Sequence, residues 1–135
     1  MKKILSTRTA PWAFNLSLFI LRVGLGLLMI PHGYSKMVHF SERSANFMDF
    51  LGLGSSVSLS LVIFAEFFCA LFVAIGLFTR LTVVPLVITM AVAVFKAHDA
   101  DIFGDGERGM LFLISAVVIM LCGPGKASVD GIMGK

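Results

Sequence analysis

Two charged side chains lie inside long apolar stretches of the sequence, and they are the first candidates for chemistry. Arg22 interrupts the run that begins at Leu18, and Glu66 stands near the centre of the next apolar run. A charge at membrane depth costs about 2.5 to over 10 kcal/mol, so each should meet an opposite charge or line a wet cavity. Counting 1.5 Å per residue from Trp12 and from Leu77 gives both groups a similar depth. We therefore expect Arg22 and Glu66 to form a buried ion pair beside an internal cavity.

The pair has two interpretations that the residues leave open. It could simply lock two helices together, or Glu66 could be a proton-transfer or ligand-binding carboxylate in the cavity beside Arg22.

A second polar set is predicted at the opposite ends of the apolar runs. It consists of His32, Lys36, Lys96, His98 and Glu107. Imidazole groups exchange protons near neutral pH, and a positioned side chain of this kind can act as a general acid or base. Together these groups could bind an anionic or quinone-like head group or relay protons. The alternative is that they are interfacial side chains that reach for water.

Other kinds of site find little support in the sequence. Cys69 and Cys122 belong to no Cys-x-x-Cys motif, which argues against a zinc site or a redox dithiol. The segment 99–104 resembles a calcium loop only faintly, since Phe103 and Met110 occupy positions where the loop needs oxygen ligands. We expect no metal site. The cations do not cluster, so we expect no nucleic-acid partner.

The composition indicates the elements that must position these groups. The chain has 135 residues, of which 58% are hydrophobic and 14% charged, whereas soluble domains have about 25% charged residues. A helical span needs about 20 apolar residues. We predict an all-α integral membrane protein, a single domain over residues 1–135 that forms an antiparallel up-down four-helix bundle in the lipid bilayer. The spans are expected at about 12–36, 57–78, 81–97 and 105–122.

Two smaller elements complete the prediction. Residues 42–51 should form a short amphipathic helix at the interface between spans one and two. Asp105 is the expected N-cap of the fourth span.

The first span should turn one face of its helix toward the protein interior. At about 100° per residue, Arg22, Gly26, Met29, Gly33 and Lys36 fall on one face of the helix. Because that face carries two cations and two glycines, we expect it to face protein rather than lipid.

The distribution of Lys and Arg predicts the orientation. One side collects Lys2, Lys3, Arg8, Arg80, Lys126 and Lys135, and the other has only Lys36, Arg43, Lys96 and Arg108. Since cytoplasmic loops carry the excess of cations, both termini should be cytoplasmic, and an even number of spans agrees.

The ordered motifs resemble a known family. They are Arg22 with Gly26, His32-Gly33-x-x-Lys36, Glu66, Gly76-Leu77-x-Thr79-Arg80, His98, Glu107, and Gly123-Pro124-Gly125 with Ser128-x-Asp130. This series, from about residue 20 to residue 131, resembles the DoxX/DoxD family of small four-span bacterial membrane proteins. The resemblance implies a bacterial inner-membrane bundle, in some cases a subunit of a quinone-linked oxidoreductase such as thiosulfate:quinone oxidoreductase, and elsewhere a membrane redox or assembly partner.

The resulting hypothesis is a quinone-linked oxidoreductase component that binds a quinone or another apolar ligand. The family positions are Arg22, His32, Lys36, Glu66, Arg80, His98 and Glu107. Of these, Glu66, His32 and His98 are the candidate catalytic residues, and Arg22, Lys36 and Glu107 the candidate ligand-binding residues. The chain shows no redox group of its own, so a bound quinone or a partner redox protein would carry the electrons.

Two other functions stay open at this point. The chain could be a non-catalytic assembly or scaffold subunit, with partner proteins or copies of itself on its outer faces. A small-molecule permease is disfavoured, because four spans are few for alternating access unless the protein dimerises.

Overall fold

A computed structural model describes residues 4–47, 49, 51–97, 102–104 and 106–134. The helices are α1 (Pro11–Val38), α2 (Phe40–Ser44), α3 (Ser55–Ile75), α4 (Thr79–Val92), α5 (Glu107–Cys122) and α6 (Val129–Ile132). A π-helical turn, Phe64–Cys69, interrupts α3, and a second, Ala93–Ala97, continues α4. The predicted all-α fold is confirmed for this part of the chain.

Three helices have the length and composition of membrane spans. They are α1 with 28 residues, α3 with 21, and α4 with its extension to Lys96, with 18. Their boundaries lie within three residues of the predicted spans. The fourth predicted span corresponds to α5, which has 16 residues and is about 24 Å long at 1.5 Å per residue. Because that is shorter than a hydrocarbon core of about 30 Å, the count of four spans stays a prediction.

Close packing of α1 against α3 fixes how these two helices are aligned. A β-carbon added to Gly26 would lie 2.6 Å from Cβ of Ala74, and one added to Gly33 would lie 2.7 Å from the backbone nitrogen of Phe67. Glycines let two helix backbones approach where any side chain would separate them. Gly26 therefore lies opposite Ala74, and Gly33 opposite Phe67, in an antiparallel register.

The predicted inward face of α1 is confirmed. Arg22, Gly26, Met29 and Gly33 are buried, and Lys36 is half-buried. This face contributes to a core of apolar side chains that α1 shares with α3, α4 and α5. The buried members of that core are Leu25, Met29, Ala65, Cys69, Ala70, Val73, Val83, Leu86, Met90, Ala116 and Ile119.

The carboxyl-terminal segment returns to the start of α1. The backbone N–H of Lys126 donates to Oδ1 of Asn15 at 3.0 Å, and Gly125 packs on Leu18. Both ends of the described chain therefore lie at one end of the bundle, which we call the terminal end. The carboxyl ends of α1 and α4 lie at the opposite end, which we call the loop end.

Asp130 joins this segment to the turn between α3 and α4. Its carboxylate accepts hydrogen bonds from the backbone N–H groups of Phe78 and Thr79 and from Oγ1 of Thr79, each at 2.9 Å. Its own N–H donates to the carbonyl oxygen of Gly76 at 2.8 Å. A carboxylate that accepts from the first amides of a helix is an N-cap. Here the cap of α4 comes from a residue about fifty positions away in the chain.

The connection between α1 and α3 differs from the prediction. Its helix, α2, covers Phe40–Ser44 rather than residues 42–51. The following segment turns, and Oδ1 of Asp49 accepts from the N–H of Gly54 at 2.8 Å, so this carboxylate stabilises a loop. The predicted N-cap Asp105 lies outside the described residues.

The register of α1 and α3 can be tested with two glycines on the same helix. Gly26→Ala should destabilise the protein by about 1–3 kcal/mol, because the new methyl group overpacks the contact with Ala74. Gly24→Ala is the matched control, because a β-carbon there meets nothing within 4 Å. Thermal unfolding in one detergent should show a lower Tm for Gly26→Ala alone. Equal Tm values for the two variants would contradict this register.

Candidate functional site at the loop end

An ion pair between a half-buried ammonium group and a buried carboxylate joins α1 to α3 near the loop end. Nζ of Lys36 lies 2.5 Å from Oε2 of Glu66. The Glu66 side chain is 5% exposed and that of Lys36 is 20% exposed. Removing both charges from water is costly, and their mutual attraction offsets that cost only when the pair is kept intact.

The predicted pairing of Arg22 with Glu66 is wrong. In the observed register Gly26 lies opposite Ala74, so Arg22, four residues earlier, falls opposite position 78, beyond the end of α3 at Ile75. The prediction treated Trp12 and Leu77 as markers of one membrane boundary. Instead, the first 14 residues of α1, about 21 Å at 1.5 Å per residue, extend past the end of α3.

Arg22 donates hydrogen bonds to the carboxyl-terminal segment, while its Nε is buried without a partner among the described residues. Its Nη2 donates to the carbonyl oxygen of Ala127 at 2.7 Å, and its Nη1 donates to that of Pro124 at 3.4 Å. The Asp130 carboxylate adds an attractive charge. Arg22 is 2% exposed. A β-carbon at position 76 would collide with the Arg22 guanidinium, so this position needs a glycine. Arg22 therefore ties the carboxyl-terminal segment to the bundle.

Glu66 belongs to the π-helical turn of α3, Phe64–Cys69. Such turns insert one residue into an α-helix and are frequent at functional sites. The second π-helical turn begins at Ala93, which lines the same cavity as Glu66. Both local departures from α-helical geometry in the long helices thus border one space.

That space is a cavity of about 730 Å³ at the loop end, and we call it the polar cavity. Its lining combines charged and imidazole side chains with apolar ones. The lining residues are Met29, His32, Lys36, Glu66, Met90, Ala93, Gly104, Glu107, Arg108, Gly109, Leu111 and Phe112. Sites for small molecules have this size and this mixture of apolar walls with a few polar groups.

His32 is positioned by an aromatic contact. Its ring centroid lies 5.9 Å from that of Phe112 on α5, at an interplanar angle of 77°. This edge-to-face arrangement orients the imidazole at the wall of the polar cavity. A half-buried imidazole there can donate or accept a hydrogen bond with a ligand.

The structure brings four of the six predicted site residues together. His32, Lys36, Glu66 and Glu107 line the polar cavity. Arg22 lies in a separate cluster at the terminal end, and His98 lies outside the described residues.

Two residues were missed by the sequence reasoning. Arg108 lines the polar cavity, and its position directly after Glu107 at the start of the fourth apolar run was the available signal. Asp130 belongs to the Ser128-x-Asp130 motif noted in the sequence, but its role as a compensating charge for Arg22 was not predicted.

The DoxX family model matches residues 17–99, more than half of the chain. The chain belongs to the DoxX family. Searches of curated proteins and of solved structures gave no match.

The DoxX match covers the residues that form the ion pair. His32, Lys36 and Glu66 lie inside the matched region, as does Arg22, whereas Glu107 and Arg108 lie beyond it. The part of the polar cavity formed by α1 and α3 is thus within the DoxX region, and α5 completes it.

The ion pair in this DoxX protein can be tested by a double-mutant cycle. Lys36→Met and Glu66→Gln should each destabilise the protein by about 2–3 kcal/mol, because each leaves the other charge buried. This is less than for a fully buried pair, since a fifth of the Lys36 side chain is exposed. The loss of unfolding free energy in the double variant should be smaller than the sum of the two single losses by at least about 1 kcal/mol. Thermal or denaturant unfolding measures it.

The control cycle combines Arg22→Met with Glu66→Gln. These residues share no contact in the structure, so their losses should add to within about 0.5 kcal/mol. The observed pairing would be overturned if the stability losses added for Lys36 and Glu66 but failed to add for Arg22 and Glu66.

Proposed function

We propose that this DoxX protein is a component of a quinone-linked oxidoreductase and that it binds the quinone head group in the polar cavity. The observation that supports this most is the Lys36–Glu66 pair, which joins two helices long and apolar enough to span a membrane and borders a cavity of about 730 Å³. Ionisable residues inside membrane spans are functional by default, since their burial is costly.

The lining residues fit a quinone head group. A quinone ring is flat and apolar, with two carbonyl oxygens that accept hydrogen bonds. Lys36 and His32 provide donors for those oxygens, and Met29, Met90 and Phe112 provide apolar contacts. When bound, a quinone supplies two-electron chemistry, since it takes up two electrons and two protons to become a quinol.

The ionisable groups of the cavity would handle the protons. The Lys36 ammonium, whose charge the Glu66 carboxylate compensates, would donate a hydrogen bond to an oxygen of a bound quinone. Glu66 can accept or release a proton next to that oxygen. Glu107 is exposed, so it connects the cavity with water at the loop end.

The membrane setting follows the charge bias of the sequence. In the proposed arrangement the protein lies in the bacterial inner membrane with both termini in the cytoplasm. The polar cavity then faces the outer side of the bilayer, and a partner redox protein exchanges electrons with the quinone there.

Quinone binding is the direct test. The protein in phosphatidylcholine nanodiscs should bind a short-chain ubiquinone in a calorimetric titration. Glu66→Gln and Lys36→Met should each weaken binding about tenfold or more, because each removes a charged hydrogen-bonding group from the cavity. Lys96→Met is the matched control, since Lys96 is exposed at the same end but does not line the cavity.

Folded wild-type protein that binds no quinone would contradict the proposal. If such protein copurified instead with a stoichiometric partner, a non-catalytic assembly subunit would be the better description.

A further inference from the structure

A second, apolar space runs along the outside of the bundle between α1 and α5. It has a volume of about 540 Å³. Its α1 wall contains Ile20, Gly24 and Leu28, which follow one another at intervals of four residues, and its α5 wall contains Leu111 and Ser115. We call it the α1–α5 groove.

The groove adjoins the polar cavity. His32, Arg108, Leu111 and Phe112 line both spaces. The contact between the rings of His32 and Phe112 lies where the two meet. A molecule with its polar end in the cavity could therefore place its apolar end in the groove without crossing the core.

The groove is open to the surface that faces the bilayer. Ile20 is 62% exposed and Leu28 is 64% exposed. From Ile20 to His32 the groove follows twelve residues of α1, or about 18 Å along the helix axis. Its length suits an extended hydrocarbon chain rather than a compact group.

Gly24 lines the groove, and helix packing does not explain why this position is a glycine. A β-carbon at Gly24 would meet nothing within 4 Å, whereas one at Gly26 or Gly33 would collide with α3. Those two glycines are needed for packing, but Gly24 only leaves space. Glycine in the interior of a helix is unfavourable relative to alanine, so a glycine that contributes no packing indicates another role.

The charges of the polar cavity favour a neutral head group for any molecule that occupies both spaces. Lys36 and Arg108 contribute two positive charges, and Glu66 and Glu107 two negative ones. This balance favours an uncharged quinone over the anionic phosphate of a phospholipid.

We infer that the α1–α5 groove binds the hydrocarbon chain of a quinone whose head group occupies the polar cavity. The inference rests on the proposed function and adds to it a chain subsite and a lateral route from the bilayer. Gly24 is then a specificity-determining residue, since its lack of a side chain admits the chain.

The test compares two ligands that share one head group. The probes are the chain-free dimethoxy-methyl benzoquinone and the same head group with a decyl chain, both titrated in identical nanodiscs. Gly24→Leu should weaken binding of the decyl compound about tenfold, because its side chain fills the groove, while the chain-free compound should change by less than about twofold. Partition of the decyl compound into the bilayer is the same for all variants and cancels in the comparison.

Leu27→Phe is the matched control. Leu27 is exposed on α1 and lines neither space, so added bulk there should leave both affinities unchanged. Gly24→Ala should give an intermediate loss for the decyl compound.

The outcomes separate this inference from the proposed function. If both probes bind and Gly24→Leu weakens neither, the inference about the groove is wrong and the proposed function stands. If the decyl chain adds no affinity in the wild type, the groove holds an ordinary lipid chain, which also overturns the inference. If folded wild-type protein binds neither probe, the proposed function and the chain subsite both fail.

Discussion

The close contact of α1 with α3 is the constraint on which the rest of this DoxX structure depends. Gly26 and Gly33 allow the two backbones to meet, and any side chain at either position would force them apart. Within a bilayer, where lipid is as apolar as leucine, such packing largely determines how helices associate. The contact sets a register that brings Lys36 beside Glu66 and leaves Arg22 beyond the end of α3.

That register separates the buried charges into two groups with different surroundings. At the terminal end, Arg22 is enclosed by main-chain carbonyl groups of the carboxyl-terminal segment, and Asp130 is occupied as the cap of α4. At the loop end, Lys36 and Glu66 border a cavity large enough for a ligand. The first group holds the carboxyl-terminal segment on the bundle, whereas the second joins α1 to α3 at the wall of the polar cavity.

The sequence predicted those features that follow from local pattern. Apolar runs gave the helices to within a few residues, and helical periodicity placed Arg22 and Gly33 on the inward face of α1. The pairing of charges depends on register between helices, which the positions of run ends do not determine. The contacts of Gly26 with Ala74 and of Gly33 with the backbone at Phe67 set that register, not the distance from Trp12. The role of Asp130 depends on a return of the chain across the bundle, which has no local signal. The α1–α5 groove depends on which helices become neighbours.

Photoaffinity labelling tests the central claim, that a quinone head group lies between Lys36, Glu66 and His32, most directly. An azido-quinone irradiated with the protein in nanodiscs should attach to the loop-end half of α1, to the π-helical turn of α3 or to the first turns of α5. Peptide mapping by mass spectrometry locates the attachment, and excess unlabelled quinone should suppress it. Attachment confined to the terminal end near Arg22, or labelling that excess quinone does not suppress, would contradict the account.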